Sequence, residues 1–247
     1  MRDYGYELKM RAGFIRSMLG SARADGIVFA NSGGKDAALT GILCKKACDR
    51  TVGLILPCGT KRNYGSDKTD AEVLAAQFDI ETRIIDLTAV KNTFLHAAEG
   101  HTRLCGPAQS NIAPRLRMAA LYTVAADENR LVAGTGNRSE IYMGYFTKWG
   151  DGACDFNPIA DLTVTEVYEF LRYLDAPESI ICKAPSAGLF DGQTDEGDMG
   201  VTYREIDDFL FTGRADDRVM AIVERYHRAS GHKRKMPAAY GSINEGL

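Results

Sequence analysis

Ile27-Val28-Phe29-Ala30-Asn31-Ser32-Gly33-Gly34-Lys35-Asp36-Ala37 is the stretch on which the fold turns. Its first four residues form a short apolar run, the pattern of a strand buried on both faces. A glycine pair follows, and then a helical pattern over about 36–47. Two glycines between strand and helix let backbone N–H groups face an oxyanion, and the helix N-terminus adds partial positive charge. The turn suits phosphate. It is not the nucleoside-triphosphatase P-loop, because no Ser or Thr follows Gly34-Lys35 and the spacing differs. Asp36 would repel a phosphate unless Mg²⁺ lay between them. Read structurally alone, it is a favourable acid in the first helical turn.

Outward from this unit the pattern repeats. Upstream, a leading helix runs through Leu8, Met10, Phe14, Ile15, Met18 and Leu19, and Ala24-Asp25-Gly26 breaks it. Downstream, strands are predicted over 52–56, 82–86 and 131–134. Helices are predicted over 67–78 and 89–98, with a long one from Asn111, as N-cap, to near 129. Pro114 lies in the first turn of that helix, where a missing N–H does little harm. Such alternation implies a parallel sheet with helices on both faces. The loops 58–66 and 102–110 are lid candidates. Residues 142–158 are rich in Gly, Asp and aromatics without a period. Thr163/Glu166 and Thr202/Glu205 then have capping-box spacing, ahead of helices at about 164–175, 203–211 and 215–229. One domain over 1–247 is the simplest account.

The chain's 247 residues carry 30 Lys+Arg against 33 Asp+Glu, a net charge of -3. That balance gives no field for general nucleic-acid binding. No apolar run approaches the ~20 residues of a membrane span, and the N-terminus has no apolar signal segment. The six cysteines and four histidines complete no zinc spacing, and Cys44 and Cys48 read as buried or half-buried thiols on one helix face. The expected compartment is the cytoplasm.

Ser-Gly-Gly-x-Asp after a first strand resembles the pyrophosphate loop of the N-type ATP pyrophosphatases. Gly134-Thr135-Gly136-Asn137-Arg138-Ser139-Glu140 follows the fourth strand. After it come Gly144-Tyr145-Phe146-Thr147-Lys148-Trp149-Gly150-Asp151-Gly152 and Asp155-Phe156-Asn157-Pro158. Lys183-Ala184-Pro185-Ser186-Ala187-Gly188-Leu189, Gly192-Gln193-Thr194-Asp195-Glu196 and Gly231-His232-Lys233-Arg234 complete the series. In this order they resemble the ammonia-dependent NAD synthetases, over about 26–237. A competing pattern is Gly134-x-Gly136 as the start of a dinucleotide fingerprint, which would make the chain an NAD-dependent oxidoreductase. Ser139 at the third glycine position and the lack of a strand-end acid in a clean βαβ unit speak against it. Another N-type ATP pyrophosphatase, amidating or thiolating a different substrate, is the nearer alternative.

The resemblance implies a Rossmann-like, doubly wound sheet of strand order 3-2-1-4, with ATP over the carboxyl ends of the strands. It implies that ATP adenylates the nicotinate carboxylate of deamido-NAD and that ammonia displaces AMP. ATP would contact Ala30, Asn31, Ser32, Gly33, Gly34, Lys35, Asp36, Ala37, Thr135, Val164 and Ser186. Asp36 and Glu140 would hold Mg²⁺. Deamido-NAD would contact Arg115, Lys148, Asp155, His232 and Lys233. Lys148 and Asp151 are the catalytic candidates, Asp151 as acceptor of a proton from ammonium. A homodimer is implied too. No segment of domain size remains for a glutaminase, so free ammonia is the expected donor. Two positions depart from the family pattern: Ala37 stands where the loop usually has Ser, and Val164 where many relatives have Lys.

Overall fold

The computed structural model describes residues 2–183 and 194–240. Helix α1 (Tyr4–Ala22) leads into β1 (Gly26–Ala30), α2 (Lys35–Ala47) and β2 (Thr51–Ile55). Then come α3 (Lys61–Tyr64), α4 (Ser66–Phe78), β3 (Glu81–Ile84), α5 (Thr88–Glu99), α6 (Gly106–Ser110) and α7 (Ile112–Asp127). Strand β4 (Arg130–Val132) precedes α8 (Arg138–Met143), α9 (Val164–Tyr173), α10 (Glu178–Ile181), α11 (Asp195–Met199), α12 (Tyr203–Thr212) and α13 (Asp217–Ala229). All strand pairs are parallel, in the expected order β3-β2-β1-β4.

Alternation along β1 explains the layers. Ile27 and Phe29 face a core built with α1, α2, α4 and α9. Val28 faces the opposite core, with Val52, Leu54 and the α7 residues Met118, Leu121 and Ala125. Phe29 lies so close to α2 that a Cβ on Gly41 would come within 2.4 Å of its ring. After β1 the chain winds outward to β3, then crosses back to place β4 on the other side of β1. Ligands bind at such a switch point, outside the carboxyl ends of the strands. A third core joins α8, α9, α12 and α13 through Met143, Val164, Ile206, Val219 and Val223.

Three local expectations are corrected. Asn111 does not cap α7: residues Gly106–Ser110 already turn as α6, and Asn111 has φ -74, ψ -4 with no capping bond. Its side chain instead accepts from Thr147 Oγ1 at 2.7 Å. The apolar stripe of α1 is only partly buried, with Met10 and Phe14 exposed. Arg11 is buried in its place, paired to Asp161 at 2.6 Å and to Glu7 at 2.8 Å. The loop over 58–66 contains α3 rather than open coil. Both capping boxes form as read, at Thr163/Glu166 and Thr202/Glu205. Among the described residues no helix is long and apolar enough to cross a membrane.

Candidate active site

The turn after β1 is held from three sides. Gly33 has φ +70, and a Cβ there would sit 2.1 Å from the Asp67 carbonyl oxygen. Glycine is required twice over, by the left-handed backbone and by the close approach. Asn31 donates through Nδ2 to Ala71 O at 3.0 Å. Lys183 Nζ lies 2.7 Å from both Asp67 and Asp70 and donates to Gly33 O at 3.4 Å. Helix α2 then starts with no side-chain cap on its first-turn N–H groups. Open N–H donors at a helix N-terminus are an anion site.

This turn forms one wall of a cavity of about 970 Å³, within the range of small-molecule sites. Ala30, Ser32, Gly34, Lys35, Asp36 and Ala37 line it from the first loop, and Thr135, Gly136 and Glu140 from the loop after β4. Arg117, Asp151 and Lys233 close it from the other side. Asn137 ties the two loops together. Its Nδ2 donates to Asp36 Oδ1 at 2.9 Å, and its backbone N–H donates to Glu140 Oε2 at 3.2 Å. Asn137 and Glu140 form a capping box on α8, so Glu140 has a structural role that its N-x-x-E spacing signals.

Lys35 Nζ lies 2.7 Å from Asp36 Oδ2 and 3.7 Å from Glu140 Oε1. Burial works to lower the Lys35 ammonium, but Asp36 and Glu140 outweigh it and hold the group above the usual lysine value. Burial and the neighbouring Asp36 push Glu140 well above the usual carboxyl range, against the pull of Lys35. Among the described residues no three His, Cys, Asp or Glu side chains converge on a metal position. The hard donors are the pair Asp36 and Glu140, beside the anion site. They suit a divalent cation whose shell phosphate oxygens complete, provided the Lys35 ammonium moves aside.

Asp151 Oδ1 accepts from the Thr147 N–H at 3.0 Å. Neighbouring protein atoms push its carboxyl above the usual aspartate value by desolvation, opposed by Thr147 and Lys233; the residue is exposed to solvent, so water screens much of this. Lys233 donates to Gly144 O and Phe146 O, both at 2.8 Å. Arg115, Lys148 and His232 sit together outside the cavity lining: Arg115 Nε donates to Lys148 O at 3.4 Å, and Lys148 Nζ to His232 O at 2.7 Å. Asp155 is elsewhere, with Oδ2 accepting from the Val132 N–H at 2.7 Å and Oδ1 from Tyr122 at 3.2 Å. Val164 is buried in the helical layer and does not reach the cavity. Ser186 lies outside the described residues.

Two residues escaped the sequence reading. Lys183 stood within a quoted motif without a role. Arg117 is a cavity-lining guanidinium that donates to Leu56 O at 3.0 Å and Asn63 Oδ1 at 2.9 Å, with no ion pair among the described residues. Burial holds it below the usual arginine value. An arginine two residues after Arg115 points to another face of the helix, which is the only signal the sequence offers.

With both loops and the paired acids in place, comparison with known proteins becomes specific. The sequence pattern of NAD synthase matches residues 7–237. The chain belongs to the NAD synthase family. The NH(3)-dependent NAD(+) synthetase of Carboxydothermus hydrogenoformans is 45% identical over 233 residues, covering 91% of this chain and 92% of that one. Among solved structures, NMN synthetase from Francisella tularensis has a TM-score of 0.92 and 38% identity, covering 98% of this chain and 100% of that chain. NAD+ synthetase from Burkholderia pseudomallei has a TM-score of 0.78 and 33% identity, covering 96% and 92%. The chain is accordingly a ligase that uses ATP, and the oxidoreductase alternative is not favoured.

Proposed function

We propose that the chain amidates deamido-NAD with free ammonia, giving NAD, AMP and pyrophosphate by way of an adenylate. The observation that carries this reading is the uncapped start of α2 facing Asp36 and Glu140 across one cavity, in a chain 45% identical to an NH(3)-dependent NAD(+) synthetase. The phosphates of ATP lie on Ser32, Gly33, Gly34, Lys35, Asp36 and Ala37, with Ala30 and Thr135 alongside and Asn31 holding the loop from behind; Ser186 remains a further ATP position that the resemblance implies, whereas Val164 lies away from the cavity. Asp36 and Glu140 would hold Mg²⁺, which would supply charge neutralisation at the phosphates. The substrate carboxylate attacks the α-phosphorus and pyrophosphate leaves toward the cationic Arg117. Ammonia then attacks the acyl carbon, and Asp151 takes the proton that ammonium must lose. No protein nucleophile is needed, so the residues act by position and charge.

Deamido-NAD is assigned to the Arg115–Lys148–His232 group, with Lys233, where guanidinium and ammonium groups suit an anionic pyrophosphate; Asp155, tied to Val132 and Tyr122, is left out of it. Lys148 thereby places the reacting end. Exposed apolar side chains on α5 and α7, Val90, Phe94 and Tyr122, support a homodimer. The whole chain serves as one synthetase domain of the cytoplasm. The test is incubation with ATP, Mg²⁺, deamido-NAD and ammonium: NAD and pyrophosphate should form in equal amounts, and their absence sinks the reading. The higher TM-score to an NMN synthetase favours one second reading, in which the acid is nicotinate mononucleotide. A kcat/KM larger for the mononucleotide than for deamido-NAD would select it.

A further inference from the structure

Lys35 occupies an unusual place for an ammonium. It opens α2 beside the phosphate cradle, yet its side chain is only 6% exposed. It lies 2.7 Å from Asp36 Oδ2, 3.7 Å from Glu140 Oε1 and 5.3 Å from the centre of the Tyr203 ring. The other oxygens of the two acids are held by Asn137, through its Nδ2 at 2.9 Å and its backbone N–H at 3.2 Å. Every oxygen of the acid pair therefore has a partner without any outside cation. A buried pair of carboxylates needs such compensation.

We infer that Lys35 is a tethered counter-ion that fills the cation position between Asp36 and Glu140 until metal and nucleotide arrive together. The inference rests on the assignment of these two acids as the Mg²⁺ ligands. A free divalent cation approaching them meets an ammonium within a few ångströms, and like charges at that range repel strongly. ATP changes the balance, since its phosphates on the α2 N-terminus give the ammonium a second set of anionic partners. A four-carbon stem allows Nζ to swing while its backbone stays in the cradle. Lys35 thus neutralises the acids in the empty site and the phosphates in the filled one. The consequence is nucleotide-dependent metal binding: free cation is excluded, and cation with ATP is accepted.

The test uses Mn²⁺ as probe, titrated into the full chain and followed by the electron paramagnetic resonance of free Mn²⁺. Wild type, Lys35→Met, Lys35→Gln, Lys35→Arg and Asp36→Asn are compared without nucleotide and with ATP. Without nucleotide, Lys35→Met and Lys35→Gln should bind Mn²⁺ at least about tenfold more tightly than wild type, a difference of about 1.4 kcal/mol. Lys35→Arg should behave as wild type. Mn²⁺ should also raise the Tm of Lys35→Met more than that of wild type, because it replaces the lost ammonium. Equal Mn²⁺ affinity of wild type and Lys35→Met, or binding by neither, overturns the inference. Should both neutral variants fail to fold alone, recovery of the fold with Mn²⁺ supports it and failure to recover overturns it. The metal assignment is read separately: Mn²⁺ binding with ATP should be lost in Asp36→Asn, and its survival there defeats that assignment whatever Lys35 does.

Discussion

Two lysines stand beside the turn after β1, each between two carboxylates, and they differ in how their acceptors are placed. Lys183 is 2.7 Å from both Asp67 and Asp70 and has Gly33 O as a third acceptor at 3.4 Å. Its three N–H donors have three acceptors. Lys35 has one close partner, Asp36 at 2.7 Å, and one distant partner, Glu140 at 3.7 Å, although both lysines line the cavity. The same chemistry serves two ends. A cation with three matched acceptors is a fastening, whereas one with a loose second contact is free to exchange partners. The difference teaches that pairing alone does not mark a structural ion pair, and neither does a place on the cavity wall; the geometry of the second contact does.

The largest effect expected is on the Lys35 side. Asp36→Asn keeps the shape and a hydrogen-bonding oxygen for Asn137 but removes the charge that pairs with Lys35 and that the proposed Mg²⁺ assignment needs. Pyrophosphate release should fall by about 10²–10³-fold, the usual size for losing one charged contact in a transition state. The circular dichroism spectrum should stay as in wild type. Release at the wild-type rate would show that the acid pair is not part of the chemistry. Asp70→Asn, on the fastening side, is the contrast: Lys183 keeps Asp67, and the rate should change by less than about tenfold.

Lys183→Met comes next, and it should act on stability. It leaves Asp67 and Asp70 facing each other with side chains 13% and 11% exposed. Removing one partner of a buried pair costs about 3–5 kcal/mol, so chemical denaturation should show a loss of about 3 kcal/mol. A loss below about 1 kcal/mol, the level of an exposed pair, would mean that the latch is an ordinary surface contact.

How much of this was legible follows from how far apart the partners lie. Strands β1 and β2 were readable because burial on both faces leaves continuous apolar runs. The phosphate turn was readable because Gly33 and Gly34 are adjacent. Thr163/Glu166 and Thr202/Glu205 were readable because a capping box closes within three residues. Asn137/Glu140 has the same spacing, but there the chemistry of a carboxylate near phosphate drew the interpretation. The ties that build the site are long. Asn137 meets Asp36 across 101 residues, and Lys183 meets Gly33 across 150. No local pattern encodes such a pairing. Asn111 misled for a related reason: its side chain was claimed by Thr147, 36 residues on, rather than by its own helix. Asp155 likewise closes the β4 edge through Val132, a structural task that residue type and loop composition do not reveal.

A smaller effect is expected at Ala37, which lines the cavity beside Lys35 and Asp36. Ala37→Ser adds the hydroxyl that the family resemblance leads one to expect in this loop, and a hydrogen bond to a charged group is worth about 1.5–3 kcal/mol. Lys35 already supplies positive charge there, so the gain should lie at the low end, about tenfold in KM for ATP. In a Lys35→Met background the gain should be larger. Equal and negligible changes in both backgrounds would mean that the missing hydroxyl is replaced by another contact and that Lys35 does not reach the phosphates.

Lys183→Arg gives the smallest effect and the sharpest distinction between charge and geometry. An ammonium offers three donors in a compact tripod, which is the arrangement that Asp67, Asp70 and Gly33 O surround. A guanidinium keeps the charge but is planar and larger, and its fork matches one carboxylate at a time. The two acids therefore stay neutralised, while the contact to the Gly33 carbonyl is strained or lost. The expected cost is one neutral-acceptor hydrogen bond, about 1 kcal/mol, well below the loss in Lys183→Met. Because Gly33 belongs to the phosphate turn, KM for ATP should rise by a few-fold while kcat holds. Were Lys183→Arg as unstable as Lys183→Met, the fit of the tripod rather than the charge would hold the latch. Wild-type stability and KM together would mean that the Gly33 contact contributes nothing, and the fastening would then act only on α4.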